Sequence, residues 1–457
     1  MTSNIEIPLW LFVMMVLFAT VTFASHFLFP SVRWFFRRRL ERAVKKLNKR
    51  LTRPIEPFKL ARRHDMIQRI IYDPEVTKAI VTHARENDVP ENVAFEKARG
   101  YARETVPSFS AVAYFSFGTR VARWLANALY DVRTSPNNEA TLKQIDPEAA
   151  VMFVMNHRSN MDYMLVTYLA ARASALSYAV GEWARVWPLS LLIKAMGAYF
   201  IRRTSRGQLY RKVLARYVQM AVQGGVTQAI FPEGGLSVTG RLMHLKMGLL
   251  SYAVDGFDPD GRDIVFVPVS INYDRVLEDR VLIAADQRGD RRFGARISVV
   301  MAAIVRLLWS WLRRRYRKFG VASVAFGEPV SLAGLGRDIS IDTLADTLRS
   351  RINDVTPVLN VPLVARVLLK ADGPMTQEDL IKQVLNARPS GGKDEPGSTP
   401  DVVRACQDME LRGMIKDTRA GWIIAPEERA MLQFYANSIA ELYPDCPPLK
   451  NAARAKK

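Results

Sequence analysis

VMFVMNHRSNMDYMLV, residues 151–166, decides the fold class. The apolar run that ends at Met155 has the length of a buried strand, and the apolar residues that resume at Met161 continue as a helix. Ser159 and Asn160 between them are good helix N-caps, so the block spells strand, turn, helix. It also holds a histidine, His157, and a carboxylate, Asp162. Five residues along one α-helix rotate a side chain by about 140°, so the two meet only if His157 sits in the turn and Asp162 in the first helical turn. A carboxylate on one imidazole nitrogen fixes the tautomer and leaves the other nitrogen basic, as deprotonating a hydroxyl requires. A second reading of the same letters is structural. Ser159-x-x-Asp162 is a capping box, in which Asp162 serves backbone N–H groups and His157 is an incidental turn residue.

Outward from this block the pattern repeats. Strand candidates are Ala150–Met155, Ala175–Val180, Ala198–Ile201, Thr227–Phe231, Ile264–Ile271 and Ser323–Phe326, with helical stretches such as GQLYRKVLARYVQMAVQ between several of them. This alternation predicts an α/β unit whose mixed, partly parallel sheet is flanked by helices. Residues from about Arg53 to Arg133 carry helical spacing, and RTSPNNEA (Arg133–Ala140) reads as a turn or linker. Beyond Leu332 come two helical pieces with Thr376 as a capping candidate, a flexible stretch over Arg388–Asp401, a further helix and the hairpin-like IKDTRAGWII. That order is winged-helix-like. The expected domains are 1–32, 33–135, 136–335 and 336–457.

Lys and Arg exceed Asp and Glu to give a net charge of +20 over 457 residues, which favours anionic partners: phospholipid headgroups, nucleic acid or phosphorylated substrates. The two cysteines, Cys406 and Cys446, have no metal-ligand spacing, and the five histidines do not cluster, which disfavours a disulfide framework and a metal hydrolase. Ile7–Phe29 carries no Lys, Arg, Asp or Glu and as a helix would reach roughly 35 Å, enough to cross a bilayer core of about 30 Å. Glu6 precedes it and the basic RRRLERAVKKLNKR (Arg37–Arg50) follows. An uncleaved transmembrane anchor is expected, single-pass, with the body of the chain on the cytoplasmic face of the cell membrane. Phe36, Leu40, Val44, Leu47 and Leu51 put an apolar stripe on the basic stretch, suited to an anionic leaflet.

Three further blocks stand at strand ends: GAYFIRRTSRG (197–207), FPEGGLSVTGR (231–241) and VFVPVSINYDR (265–275). The carboxyl ends of parallel strands gather in one crevice, where glycines admit a ligand to the backbone and Arg202, Arg203, Arg241 and Lys246 could neutralise a phosphate. Each block has a plainer reading as a solvated strand end or an ordinary turn.

In order and wording, NHRSNMD, GAYFIRR, FPEGG and VPVSINYD resemble the four motifs of the membrane-bound bacterial glycerol-3-phosphate acyltransferase family, within the group sharing an H-x4-D signature. FGEPVSL (326–332) is similar to its usual following strand, and LQFYANSIAELY (432–443) also looks like that branch. The resemblance implies an acyltransferase-type sheet and acyl transfer from acyl-CoA or acyl carrier protein to the sn-1 hydroxyl of glycerol 3-phosphate, yielding lysophosphatidate. It implies His157 as general base with Asp162 orienting it, and Arg202, Arg203, Glu233, Gly234, Gly235, Arg241 and Lys246 around the acceptor phosphate. No cofactor is implied. One departure stands out: Leu236 and Val238 occupy positions where that branch commonly carries arginines. Lysophosphatidate or dihydroxyacetone phosphate is the alternative acceptor. A membrane-tethered nucleic-acid binder is the reading from a different class.

Overall fold

The computed structural model describes residues 8–135, 138–170, 174–181, 189–202, 207–289, 317–336, 339–388 and 399–443. The chain divides into two compact units, Met1–Ile55 and Glu56–Lys457. The expected borders at 135/136 and 335/336 fall inside the second.

The first unit is dominated by one helix of 40 residues, Leu9–Asn48, which passes through the apolar and the basic stretch without a break at residue 32. Its side chains from Leu9 to Phe18 are exposed. Among the described residues no helix is long and apolar enough to cross a membrane, so the expected spanning anchor is not found there. The side chains of residues 21–37, which include the later part of the expected span, lie outside the described residues.

In the second unit an eight-stranded sheet has the order β1-β7-β6-β2-β5-β3-β4, with β8 also on β6. The strands are β1 Asp131–Thr134, β2 Ala150–Met155, β3 Ser177–Gly181, β4 Tyr199–Ile201, β5 Gln228–Ile230, β6 Ile264–Tyr273, β7 Val321–Phe326 and β8 Val330–Ser331. β2 to β6 run parallel, while β7 and β8 run antiparallel to β6. Every residue of β2 and β6 is buried, which explains their near-continuous apolar spelling: both faces of this sheet are covered. Alternation still sorts β2. Val151, Phe153 and Met155 enter one apolar cluster, shared with the Asp162–Ala170 helix and the C-terminal helices. Ala150, Met152 and Val154 enter the other, shared with helices of residues 63–105 and Gln208–Gln223.

One sequence expectation is corrected here. Arg133 and Thr134, read as the start of a linker, belong to β1, which pairs parallel with β7. An edge strand of four half-solvated residues has no apolar alternation to betray it. Asn138, just beyond, mimics a strand partner: its amide donates to Val324 O at 3.0 Å and accepts from the Phe326 N–H at 2.9 Å. Towards the C-terminus, helices Asn360–Lys370, Gln377–Asn386 and Thr399–Leu411 precede an antiparallel hairpin of β9 (Ile415–Thr418) and β10 (Gly421–Ile424). Thr376 caps the second helix, accepting from Asp379 N at 3.2 Å.

Candidate active site

Because β6, β2 and β5 are parallel neighbours, the residues that leave their carboxyl ends arrive together: Asn156-His157, Phe231–Glu233 and Asp274–Glu278. Asn156 ties the first of these loops down. Its buried amide accepts from Ile271 N at 2.8 Å and donates to Ile271 O at 2.9 Å, so the chain enters the turn locked to β6. His157 then projects inward, 2% exposed, with its ring stacked on Phe231 (centroids 4.2 Å, 27°) and edge-on to Tyr163.

His157 Nδ1 lies 2.9 Å from Asp162 Oδ2. The same oxygen accepts from Arg158 N (2.8 Å) and Ser159 N (3.1 Å), and Oδ1 accepts from the Tyr273 hydroxyl at 2.5 Å. Asp162 is fully buried, and these four donors are what make a buried carboxylate tenable. The two sequence readings are therefore not exclusive: one carboxylate closes the helix cap and also holds the imidazole. With an acceptor at Nδ1, that nitrogen carries the proton and Nε2 is the basic one, without a partner among the described residues. Burial and the Asp162 charge hold the Tyr273 phenol well above its ordinary pKa, so it stays a donor. On the outer side of the turn Glu278 accepts from Ser159 Oγ (2.7 Å), Asn160 N (3.2 Å) and Asn160 Nδ2 (2.9 Å).

Glu233 sits directly beneath this turn and is buried. Its Oε1 accepts from the His157 N–H at 3.2 Å, while Oε2 is buried without a hydrogen-bond partner among the described residues. Burial pushes its carboxyl up to about 8, against the opposing pull of Arg158 and of the His157 N–H. Arg158 is itself buried. One of its guanidinium nitrogens donates to Ser438 O at 3.2 Å, whereas Nε and Nη1 have no hydrogen-bond partner among the described residues.

A family model described as Acyltransferase matches residues 137–272, and one described as Glycerol-3-phosphate acyltransferase C-terminal region matches 304–444. Together they span more than half of the chain. The chain belongs to the glycerol-3-phosphate acyltransferase family. Relatives with that name include proteins of Pseudomonas entomophila strain L48, 27% identical, and Pseudomonas syringae pv. tomato, 26% identical. Each alignment covers 84% of this chain and 49% of the relative, so the chain spans about half the length of the curated relatives it matches. Among solved structures, the 1-acyl-sn-glycerophosphate (LPA) acyltransferase of Thermotoga maritima aligns at 20% identity and a TM-score of 0.33, over 52% of this chain and 75% of that one. A likeness at that score carries no argument about the fold, which rests on the sheet itself.

The structure distributes the residues that the family resemblance implies for the acceptor. Gly234 has φ +74°, and a Cβ there would lie 2.5 Å from Lys246 Nζ, so the lysine reaches across this glycine beside Glu233. Gly235 is half-buried in the same turn. Arg241 closes the loop through its backbone, its carbonyl accepting from Ser237 Oγ at 2.7 Å. Arg202 forms a forked ion pair with Glu104 (Nη2 to Oε2 2.6 Å, Nε to Oε1 3.0 Å) over the Tyr101 ring, which ties it to the helix Glu91–Thr105. Nothing in the sequence near Arg202 signals a partner 98 residues away. Arg203 lies outside the described residues. Leu236 and Val238 pack against the apolar cluster, where an arginine would be desolvated.

Sequence reasoning missed Asn156, Arg158, Tyr273 and Glu278. The first three lay inside quoted blocks, but their partners are set by strand register alone. It also missed the helix Arg429–Asn437, which ties three site loops together. Asn437 Nδ2 donates to Thr239 O (2.7 Å), Tyr435 Oη accepts from Val276 N (3.0 Å) and donates to Asp279 Oδ2 (2.6 Å), and Ser438 O receives Arg158.

Proposed function

We propose that the chain transfers a fatty acyl group from a thioester, on coenzyme A or acyl carrier protein, to the sn-1 hydroxyl of glycerol 3-phosphate, giving lysophosphatidate. One observation carries this reading: a buried imidazole held at Nδ1 by a carboxylate that three other groups fix, with Nε2 left unpaired among the described residues at the crevice where parallel strands end. Nε2 takes the hydroxyl proton as the oxygen attacks the thioester carbonyl. The C–O bond forms, the C–S bond breaks, and the departing thiolate recovers the proton from the imidazolium. Asp162 stabilises the transient imidazolium and needs no proton of its own. Glu233, held towards its neutral form by burial, does not repel an anionic acceptor. Lys246, reaching across Gly234, is the cation best placed to meet the acceptor phosphate.

The reading also places the protein at the cytoplasmic face of the cell membrane, supported by the exposed apolar side chains of Leu9–Phe18 and the basic run that follows. Leu236 and Val238 favour one second reading, in which the acceptor is lysophosphatidate and these aliphatic positions tolerate its chain.

The test is acyl transfer by membranes containing the full chain, with glycerol 3-phosphate and lysophosphatidate offered separately and His157→Ala membranes as blank. Histidine-dependent lysophosphatidate from glycerol 3-phosphate is expected. Transfer to the lysolipid alone selects the second reading, and activity that survives His157→Ala overturns the assignment of the base.

A further inference from the structure

At the end of the sheet opposite His157, before β3 and β5, lies a cavity of about 240 Å³. It is lined by Lys59, Arg63, Ser108, Phe109, Ser177 and Tyr217, among others; no carboxylate is among the lining residues. Lys59 is buried. Its Nζ donates to Ala175 O at 2.5 Å and lies 4.6 Å from the centre of the Phe109 ring and 5.8 Å from that of Tyr114. Arg63 donates from Nε to Val106 O at 3.0 Å, and its Nη2 donates to Arg103 O. Both cations thus meet only carbonyls and ring faces. None of the ion pairs among the described residues includes either of them.

Burying an ammonium without a counter-charge costs several kcal/mol, and carbonyl and ring contacts offset only part of that. Burial holds Lys59 well below the usual amine range, and burial together with repulsion from Arg103 lowers Arg63. We infer that this cavity is an anion site, separate from the active site, that takes a phosphate group, either as inorganic phosphate or as the headgroup of a phosphomonoester lipid. Two cations and the hydroxyls of Ser108, Ser177 and Tyr217 supply the donors such a group needs. The volume has room for a phosphate group. Ser108 and Ala61, both exposed, form its rim and give it access from solvent.

The test is thermal unfolding of the full chain in non-ionic detergent, with inorganic phosphate against chloride at equal ionic strength. A tenfold excess over Kd favours the folded state about elevenfold, which raises Tm by about 1.5–2 °C. That rise is expected in the wild type and in Lys246→Met, which lacks the cation assigned to the acceptor phosphate, and is expected to be smaller in Lys59→Met, which keeps the aliphatic stem. An equal rise in Lys59→Met overturns the site. Should Lys59→Met fail to fold, Arg63→Gln and the carbamoylation of Lys59 by cyanate, followed by mass spectrometry, decide instead. A bound phosphate raises the lysine pKa and is expected to slow that reaction about tenfold for each unit. Slowing by phosphate alone identifies a free anion. Slowing only by vesicles of phosphatidate in phosphatidylcholine identifies a headgroup. An unchanged rate with both overturns the proposal.

Discussion

Glu233→Gln turns the electrostatics of the site into a stability measurement. The amide keeps the acceptor that receives the His157 N–H and removes only the ionisation. The Glu233 carboxyl has its pKa raised from 4.5 to about 8, and burial is the largest cause. A carboxyl whose folded-state pKa is raised binds more protons folded than unfolded across that interval, so its contribution is fully present below the unfolded pKa and is lost as pH rises towards 8. The slope is about 1.4 kcal/mol per pH unit, and the whole interval amounts to on the order of 4–5 kcal/mol. Urea unfolding in non-ionic detergent at pH 5.5 and 7.5 should therefore show the wild type losing on the order of 2–3 kcal/mol more than Glu233→Gln between the two. The variant should be the more stable protein at pH 7.5. Parallel pH dependences for the two would refute the claim that Glu233 is held neutral in the native site.

Three further outcomes are expected. Asp162→Asn offers an amide to Nδ1 and frees the tautomer, and acyl transfer should fall by about a thousandfold or more with the fold retained; a loss below tenfold would refute the orienting role. Tyr273→Phe removes one charge-assisted bond of about 1.5–3 kcal/mol from Asp162, and kcat should drop roughly ten- to a hundredfold at constant KM. A change confined to KM would place Tyr273 against the acceptor instead. Gly240→Ala forces a side chain into φ +78° and puts its Cβ 2.0 Å from Phe434 O. The left-handed backbone alone costs roughly 1–2 kcal/mol, and an unchanged Tm would mean that the C-terminal helix does not pack on this loop.

The strands that carry the site were legible because the sheet is covered on both faces: AVMFVM and IVFVPVSI are apolar at nearly every position, and turn residues mark where they stop. The meeting of His157 with Asp162 was legible for a local reason, since strand, turn and helical cap fix their geometry within six residues. The Thr376 cap was local in the same way. What tertiary structure alone decided depends on register and on distant partners. β1 is an edge strand with no apolar pattern, Arg202 answers to Glu104, and the Asp162 carboxylate receives the Tyr273 hydroxyl from a strand 111 residues on. Leu236 and Val238 show the same divide: the sequence shows that they are not arginines, and only packing shows that they lie half-buried against the apolar core. Side-chain chemistry and short-range periodicity are written along the chain. Which charges find each other is set by how strands align, and a one-residue slip would reassign every one of those pairs.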